Sequence, residues 1–226
     1  MDTCDILYQR NNWCGLSYID EPTEKMFIYQ EFIESLSPWQ DSNNPEKFKH
    51  LIPNPFELDF LKVTSGKLPQ NIYSTGGDKL PRGFMIKRDI YENLITLISF
   101  APHIVFPLKI TNRKILNEDF YFCFFRDITD NIDFPNSTFK GYVKSLDDYE
   151  QFKATSLKDL LIKSKEKYNY SSYYDKVKFN EGTPEYDIFG LFHIDLNIYF
   201  SEKVKDVFHK LKTNEQFKDA EVNFEY

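Results

Sequence analysis

The sequence GFMIKRDIYENLITLISFAPHIVFPLKI occupies residues 83–110 and predicts the fold class. Its aromatic and apolar start leads to Lys87-Arg88, where the chain is expected to turn from a strand into a short amphipathic helix. Ile104–Ile110 then predicts a returning strand. A strand, a helix and a strand in succession favour a protein in which helices pack on β-sheets.

The C-terminal stretch predicts a second unit of the same kind. Residues 186–226 run YDIFGLFHIDLNIYFSEKVKDVFHKLKTNEQFKDAEVNFEY, with Ser201-Glu202 at the helix start and Glu221–Tyr226 as the returning strand. We therefore predict an α+β fold of mixed β-sheets with packed amphipathic helices. A chain of 226 residues can bury a substantial core, and we expect one protein with two related halves, residues 1–112 and 113–226.

Other segments carry local signals. Phe120–Phe125 predicts a buried strand and Phe139–Lys144 a further strand, whereas Met26–Leu36 fits a helix or a strand equally well. Ser145–Asp148 and Ser156–Asp159 both have the S-x-x-D form of a capping box, so each predicts a helix start. Two loops are predicted from composition, at Asp41–Pro45 and Gly76–Asp78.

The composition is aromatic and acidic. The chain has 22 Phe and 15 Tyr, which favour strands, and a net charge of −7 at pH 7. A phosphate backbone repels such a chain unless basic residues cluster, and the sequence has no dense Lys/Arg run. We therefore predict no nucleic-acid partner. The acidity fits either ordinary solubility or a basic protein partner.

The sequence predicts a cytoplasmic protein without a membrane segment. The start, MDTCDILYQR, has acidic residues and lacks the basic stretch and apolar run of a signal peptide. Asn93–Leu108 is the longest stretch without a formal charge, and it is too short and too interrupted to span a bilayer. Cys4, Cys14 and Cys123 have no CxxC spacing and indicate free thiols in a reducing compartment.

Sequence motifs of metal and cofactor chemistry are absent. The four histidines show neither HExxH nor zinc-ribbon spacing, and the 8 glycines form no GxGxxG or GxSxG. We predict no metal and no cofactor. His103 and His193 lie in apolar stretches, FAPHIVF and LFHIDL, and are expected to be core histidines.

Three carboxylates at spacing three stand out in FFRDITDNIDFPNSTF. Asp127, Asp130 and Asp133 could place a general acid beside a general base or hold a hard cation, which would make the protein a carboxylate-dependent enzyme. The alternative is a turn-rich connection whose Asp, Asn and Ser side chains cap backbone amides. The sequence favours the second interpretation.

The aromatic strand, this aspartate turn and the C-terminal unit resemble a family of bacterial immunity proteins that accompany polymorphic toxins, a broad family formerly described as a domain of unknown function. The segments that carry the resemblance are Tyr121–Phe125, Asp127, Asp130, Ile132-Asp133, Ser137, Phe139, Ile198–Phe200, Ser201-Glu202, the helix through Leu211, and Val222–Glu225. The resemblance covers the C-terminal half. Many members have a Gly between the final helix and strand, where this chain has the longer link Asn214–Lys218.

The resemblance implies a protein that binds and neutralises a cognate toxin domain inside the producing cell, and it assigns no catalytic residues. An enzyme that uses the aspartate trio and a structural adaptor with another partner stay as alternatives. The acidic net charge of −7 predicts that the toxin domain is basic.

A tyrosine-rich segment is the predicted partner-binding surface. Tyrosine is favoured at interface centres because its large, rigid ring also offers a hydroxyl. Carboxylates around it would attract a basic partner and speed encounter. The alternative is that the tyrosines cover a sheet edge and the acids solvate a helix start. The predicted residues are Tyr168, Tyr170, Tyr173, Tyr174, Asp175, Asp147, Asp148 and Glu150.

Overall fold

The computed structural model confirms an α+β fold with mixed β-sheets. It describes residues 3–6, 14–35, 56–66, 71–75, 80, 82–112, 115–193, 197–211, 217–219 and 222–226. The helices within these ranges are α1 (Glu24–Ser35), α2 (Arg88–Leu94), α3 (Leu157–Tyr168) and α4 (Glu202–Lys210). The strands are β1 (Thr3–Ile6), β2 (Cys14–Tyr18), β3 (Leu58–Gly66), β4 (Ile72–Thr75), β5 (Gly83–Lys87), β6 (His103–Asn112), β7 (Ile115–Phe125), β8 (Thr138–Val143), β9 (Asp148–Phe152), β10 (Ser172–Lys178), β11 (Ile188–Gly190), β12 (Ile198–Ser201), β13 (Phe217–Asp219) and β14 (Asn223–Glu225).

One compact unit, residues 8–92 and 104–124, is built on a six-stranded sheet with the order β2-β3-β6-β7-β5-β4. β3 and β6 pair in parallel, whereas β5 pairs antiparallel with β4 and with β7. Tyr29 and Phe32 of α1 pack on Phe60 and Phe106 from this sheet, with the Tyr29 ring 5.5 Å from Phe60 and 6.1 Å from Phe106. Aromatic side chains from the helix and from the sheet therefore fill the core of this unit.

The other compact unit comprises residues 1–7, 93–103 and 125–226, and it contains two four-stranded sheets. Their orders are β11-β12-β1-β13 and β14-β10-β8-β9. In the first sheet every pairing is antiparallel, whereas in the second β10 and β14 are parallel. Its core includes Phe179, Phe189, Tyr199 and Phe224, whose rings pack edge to face or stacked against one another.

The predicted strand-helix-strand unit of residues 83–110 is confirmed as β5, α2 and β6. The turn falls at Lys87-Arg88, where β5 ends and α2 begins. β5 and β6 are not neighbours, because β7 lies between them in the six-stranded sheet. The predicted buried strand Phe120–Phe125 is the second half of β7.

The C-terminal unit is confirmed as β12, α4 and β14. Ser201 is the N-cap residue of α4, and the helix buries Val204, Val207 and Phe208. The predicted link before the last strand is partly wrong, because Phe217–Asp219 forms β13 and pairs antiparallel with β1. The predicted division after residue 112 runs through the six-stranded sheet, whose strand β7 pairs with β5.

The predicted helix start at Ser145–Asp148 is wrong. Residues 144–147 form a turn between β8 and β9, and Asp147 has a φ of 52°. Residues on either side form the antiparallel strands β8 and β9, in which Tyr142 pairs with Tyr149 and Phe139 with Phe152 across the hairpin. Pairing of the two strands therefore overrides the local capping signal. Ser156–Asp159, in contrast, begins α3 as predicted, with Ser156 Oγ accepting a hydrogen bond from Asp159 N.

Three further predictions are settled or fall outside the described residues. Met26–Leu36, which fitted either element, is helical as far as Ser35, where α1 ends. The predicted loops at Asp41–Pro45 and Gly76–Asp78 lie outside the described residues. In the part of the chain that the structure describes, no helix is long and apolar enough to cross a membrane.

Candidate functional site

The sheet β14-β10-β8-β9 has one face covered by a helix and one face that carries exposed tyrosines. Side chains alternate between the two faces along each strand. Phe139 and Gly141 of β8, and Phe152 of β9, lie on the covered face, where Phe152 packs on Tyr168 of α3 with ring centroids 4.6 Å apart. The side chains between them belong to the opposite face.

The covered face is closely packed around one tyrosine. A Cβ added at Gly141 would lie 2.3 Å from Cδ1 of Tyr168, so only glycine leaves room for this ring. The Tyr168 hydroxyl donates a 2.8 Å hydrogen bond to Oε1 of Glu150, which also pairs with Lys167. These contacts fix α3 against the sheet. The helix thereby supports the strands whose other face is exposed.

The opposite face, which we call the tyrosine face, is defined by Tyr142, Tyr149 and Tyr173. The Tyr149 ring lies 5.3 Å from Tyr142 and 5.6 Å from Tyr173, so the three rings form a row across β8, β9 and β10. Tyr149 is 50 % exposed and Tyr173 is 46 % exposed. Exposed, rigid aromatic rings in a row are typical of protein-binding surfaces.

The buried carboxylate of Asp175 binds polar side chains of β8 and β9 that share the tyrosine face. Asp175 lies at a bulge of β10, and its oxygens are 2.6 Å from Lys140 Nζ, 2.7 Å from Gln151 Nε2 and 3.0 Å from Thr138 Oγ1. Burial raises the pKa of Asp175, but the ion pair with Lys140 and the hydroxyl and amide donors outweigh burial and lower it. The carboxylate therefore stays charged and neutralises Lys140.

Two exposed acidic residues, Asp147 and Asp148, lie where the β8–β9 turn leads into β9, at the end of the sheet near Tyr142 and Tyr149. Asp147 accepts a hydrogen bond from the Tyr142 hydroxyl, and Asp148 accepts a 2.7 Å hydrogen bond from Tyr149 N. Both are exposed, and Leu146 beside them is 66 % exposed. This end of the hairpin thus carries an exposed apolar side chain and two exposed carboxylates, of which Asp147 contacts the tyrosine row.

The eight predicted partner-binding residues fall into an exposed group and a group that is buried or held against α3. Tyr170, Tyr173, Asp147 and Asp148 are exposed. Tyr168, Tyr174 and Asp175 are buried, and Glu150 is held against α3 by Lys167 and Tyr168. Burial excludes Tyr168, Tyr174 and Asp175 from direct contact with a partner, so four of the eight predicted residues are exposed.

Sequence reasoning missed Tyr142, Tyr149 and Leu146. The signal was present in GYVKSLDDYEQF, where tyrosines alternate with other residues on both sides of a short polar turn, as in a hairpin. The capping-box interpretation of Ser145–Asp148 instead predicts a helix where the hairpin turn lies.

The three aspartates of the trio differ in their surroundings. Asp127 Oδ1 accepts hydrogen bonds from Thr129 N at 2.8 Å and from the Thr129 hydroxyl, whereas Asp133 Oδ2 accepts one from Asn136 Nδ2. Asp130 is exposed on the 3-10 helix Thr129–Asn131. The Asp127 carboxylate thus caps a backbone amide, as the second interpretation predicted, whereas the Asp133 carboxylate accepts from a side-chain amide.

His193 differs from its predicted place in a core strand. It lies in a turn after β11, and its Nδ1 is 2.6 Å from Oδ2 of Asp127, a close polar contact without hydrogen-bond geometry. Burial raises the pKa of Asp127, but His193 and Thr129 outweigh burial and lower it. His103, half-buried at the start of β6, stacks on Phe125 in agreement with its predicted packing role.

We expect Asp127→Asn to lower the free energy of unfolding by about 1–2 kcal/mol, because the amide replaces a charged acceptor of two hydrogen bonds. Chemical denaturation would measure the change. Asp130→Asn is the matched control and should shift stability by less than about 0.5 kcal/mol, since Asp130 is exposed. Unchanged stability in Asp127→Asn together with loss of a measurable activity would favour the enzyme instead.

The described side chains contain no group of three or more His, Cys, Asp or Glu that could hold a metal ion. Cys123 is a buried free thiol, and burial raises its pKa well above the usual value. No family model matches the chain, and no curated protein matches it with significance.

Proposed function

We propose that this chain is an intracellular immunity protein that binds a basic toxin domain and neutralises it, with the tyrosine face as the binding surface. The observation that carries the proposal is the row of Tyr142, Tyr149 and Tyr173 on an accessible sheet face. The resemblance of the C-terminal half to immunity proteins of polymorphic toxin systems supports the toxin as the partner.

The charge of the surface supports a basic partner. Asp175 is neutralised by Lys140 and Glu150 by Lys167, whereas Asp147 and Asp148 are exposed and hydrogen-bond to a tyrosine hydroxyl and a backbone amide. These two carboxylates belong to a chain whose overall net charge is also negative, at −7. A Lys or Arg of the partner would gain both an ion pair and a cation–π contact with the neighbouring rings.

The sheet provides a rigid base for binding. α3 packs beneath it through Tyr168, and the network of Asp175 fixes Lys140 and Gln151 between the tyrosines. Binding to such a pre-formed surface orders few side chains, and this favours affinity. An adaptor protein would use the same surface for a different partner, so the identity of the partner separates the two functions.

The test pairs this chain with the product of the neighbouring gene, which this proposal predicts to carry a basic toxin domain. Co-expression of the chain should restore growth of cells that produce the toxin domain, and the two purified proteins should form a stable complex. Growth arrest despite co-expression, with no complex by calorimetry, would exclude immunity towards that toxin.

We expect Tyr173→Ala to weaken toxin binding at least about tenfold, mainly through faster dissociation, because an exposed ring of the row that packs on Tyr149 would be lost. Surface plasmon resonance would give the rate constants. Tyr186→Ala, a half-buried tyrosine of the same unit outside the tyrosine face, is the matched control and should bind with wild-type rates. Wild-type binding by Tyr173→Ala would place the partner surface elsewhere.

The same measurement tests the carboxylates. Asp147→Asn combined with Asp148→Asn should slow association and flatten its salt dependence, since steering is screened over about 10 Å at 0.1 M salt. Glu202→Gln with Asp206→Asn removes the same charge from α4 and serves as the control. Equal slowing by both double variants would show that only the net charge matters.

A further inference from the structure

Positive φ angles are concentrated at one end of the sheet that carries the tyrosine face. Four described residues other than glycine have positive φ, namely Arg82, Asp147, Asn169 and Tyr170. Asp147 lies in the β8–β9 turn, and Asn169 and Tyr170 connect α3 to β10. Asp and Asn adopt this conformation in ordinary turns, whereas a bulky aromatic residue does so rarely.

Tyr170 occupies a position that suits glycine. Asn169, with a φ of 48°, caps the C-terminus of α3, and Tyr170 follows with a φ of 66°. Tyr170 N donates a 2.8 Å hydrogen bond to Ser164 O, so the backbone of this turn is fixed by the helix end. Glycine would adopt the same backbone without the steric penalty that the tyrosine Cβ introduces.

The ring of Tyr170 is not required to fill the core, because the residue is 48 % exposed. Its backbone lies at one end of the sheet that carries the tyrosine face. Ser171 O accepts a 2.9 Å hydrogen bond from Tyr142 N, and Ser172 pairs with Gly141. Tyr170 therefore stands at the end of the sheet where the β8–β9 turn presents Leu146. Strained residues that lie at a surface and are held by well-ordered neighbours are characteristic of binding sites.

We propose that Tyr170 is a contact residue for the basic partner of the tyrosine face and extends that surface around the end of the sheet. This inference rests on the proposed function. Its exposed ring would add a fourth aromatic group at the end of the sheet that also carries the exposed carboxylate of Asp147, and a cationic side chain of the partner would gain from both. The Tyr170 ring thus strengthens partner binding, whereas its strained backbone lowers the stability of the fold.

Two substitutions at this position separate strain from contact. Tyr170→Gly removes both, so it should raise the Tm by about 2–4 °C and weaken toxin binding about tenfold. Tyr170→Ala removes the ring but keeps a Cβ at positive φ, so it should weaken binding equally without raising the Tm. Asn169→Gly alters the neighbouring backbone position only and should bind the toxin with wild-type affinity.

The outcomes distinguish this inference from the proposed function. If the wild-type protein does not bind the neighbouring toxin domain, the proposed function fails and this inference fails with it. If the wild-type protein binds, Tyr173→Ala weakens binding and both Tyr170 variants keep wild-type affinity, only the role of Tyr170 is refuted. A Tm of Tyr170→Gly that does not exceed that of Tyr170→Ala also refutes it, because strain would then be absent.

Discussion

Gly141→Ala should lower the free energy of unfolding by about 3 kcal/mol, because the added Cβ would overlap the buried ring of Tyr168. The Cβ position lies 2.3–2.5 Å from three atoms of that ring. The ring has no room to withdraw, since Phe152 packs on it at 4.6 Å and its hydroxyl is bound to Glu150. Chemical denaturation followed by fluorescence would measure the loss.

A double-mutant cycle tests the cause of this loss. In the background of Tyr168→Ala, where the ring is absent, Gly141→Ala should be nearly neutral, so the two substitutions should couple by more than about 1 kcal/mol. Equal losses in both backgrounds would show that the glycine is needed for its backbone and not for the space of the ring. Tyr173→Ala on the opposite face should leave the coupling unchanged.

Asp187→Ala should also lower the free energy of unfolding by about 3 kcal/mol, since it leaves three donors, among them the buried Ser201 hydroxyl, without their acceptor. Asp187 is buried and accepts hydrogen bonds from Ser99 N at 2.8 Å, Ser201 Oγ at 2.7 Å and Lys203 Nζ at 3.0 Å. The carboxylate thereby joins the segment before β6 to the start of α4. Glu185→Ala, an exposed neighbour, is the control and should change stability by less than about 0.5 kcal/mol.

The contribution of Asp187 should depend on pH. Burial raises its pKa, but the hydrogen bonds from Ser99, Ser201 and Lys203 outweigh burial and lower the pKa below its usual 3.8. A carboxyl whose pKa is lower in the folded state stabilises the protein above the pKa of the unfolded chain and loses this effect as the pH falls. The stability difference between wild type and Asp187→Asn should therefore be constant at neutral pH and shrink below about pH 4. A difference that grows in acid would contradict this assignment.

Two identical local signals had opposite outcomes. Ser156–Asp159 begins a helix in which Ser156 Oγ accepts from Asp159 N, and the Asp159 carboxylate accepts a 2.8 Å hydrogen bond from Thr155 N. Ser145–Asp148 has the same S-x-x-D form and lies in a hairpin turn. The difference comes from the strands on either side, whose alternating side chains pair Phe139 with Phe152. A capping motif predicts a helix only where no strand partner competes for the segment.

The contact between Asp127 and His193 had no local signal at all. The two residues are distant in the chain and come together because β11 bridges to the segment after β7, at Asp127 and Gly190. The sequence correctly predicted that Asp127 serves a turn, through Thr129. It did not identify the histidine, because the proximity depends on strand pairing and not on spacing along the chain.

The sequence by itself determined the strand-helix-strand units, the aromatic strand of β7 and the start of α3, since these follow from periodicity and from hydrogen bonds between near neighbours. It also fixed which tyrosines share a strand face, because side chains alternate. Only the tertiary structure decided which face is covered. α3 packs over Gly141 and buries Tyr168, and Tyr173 on the opposite face stays exposed. The alternation of a strand is symmetric with respect to its two faces, and the packing of a distant helix breaks that symmetry.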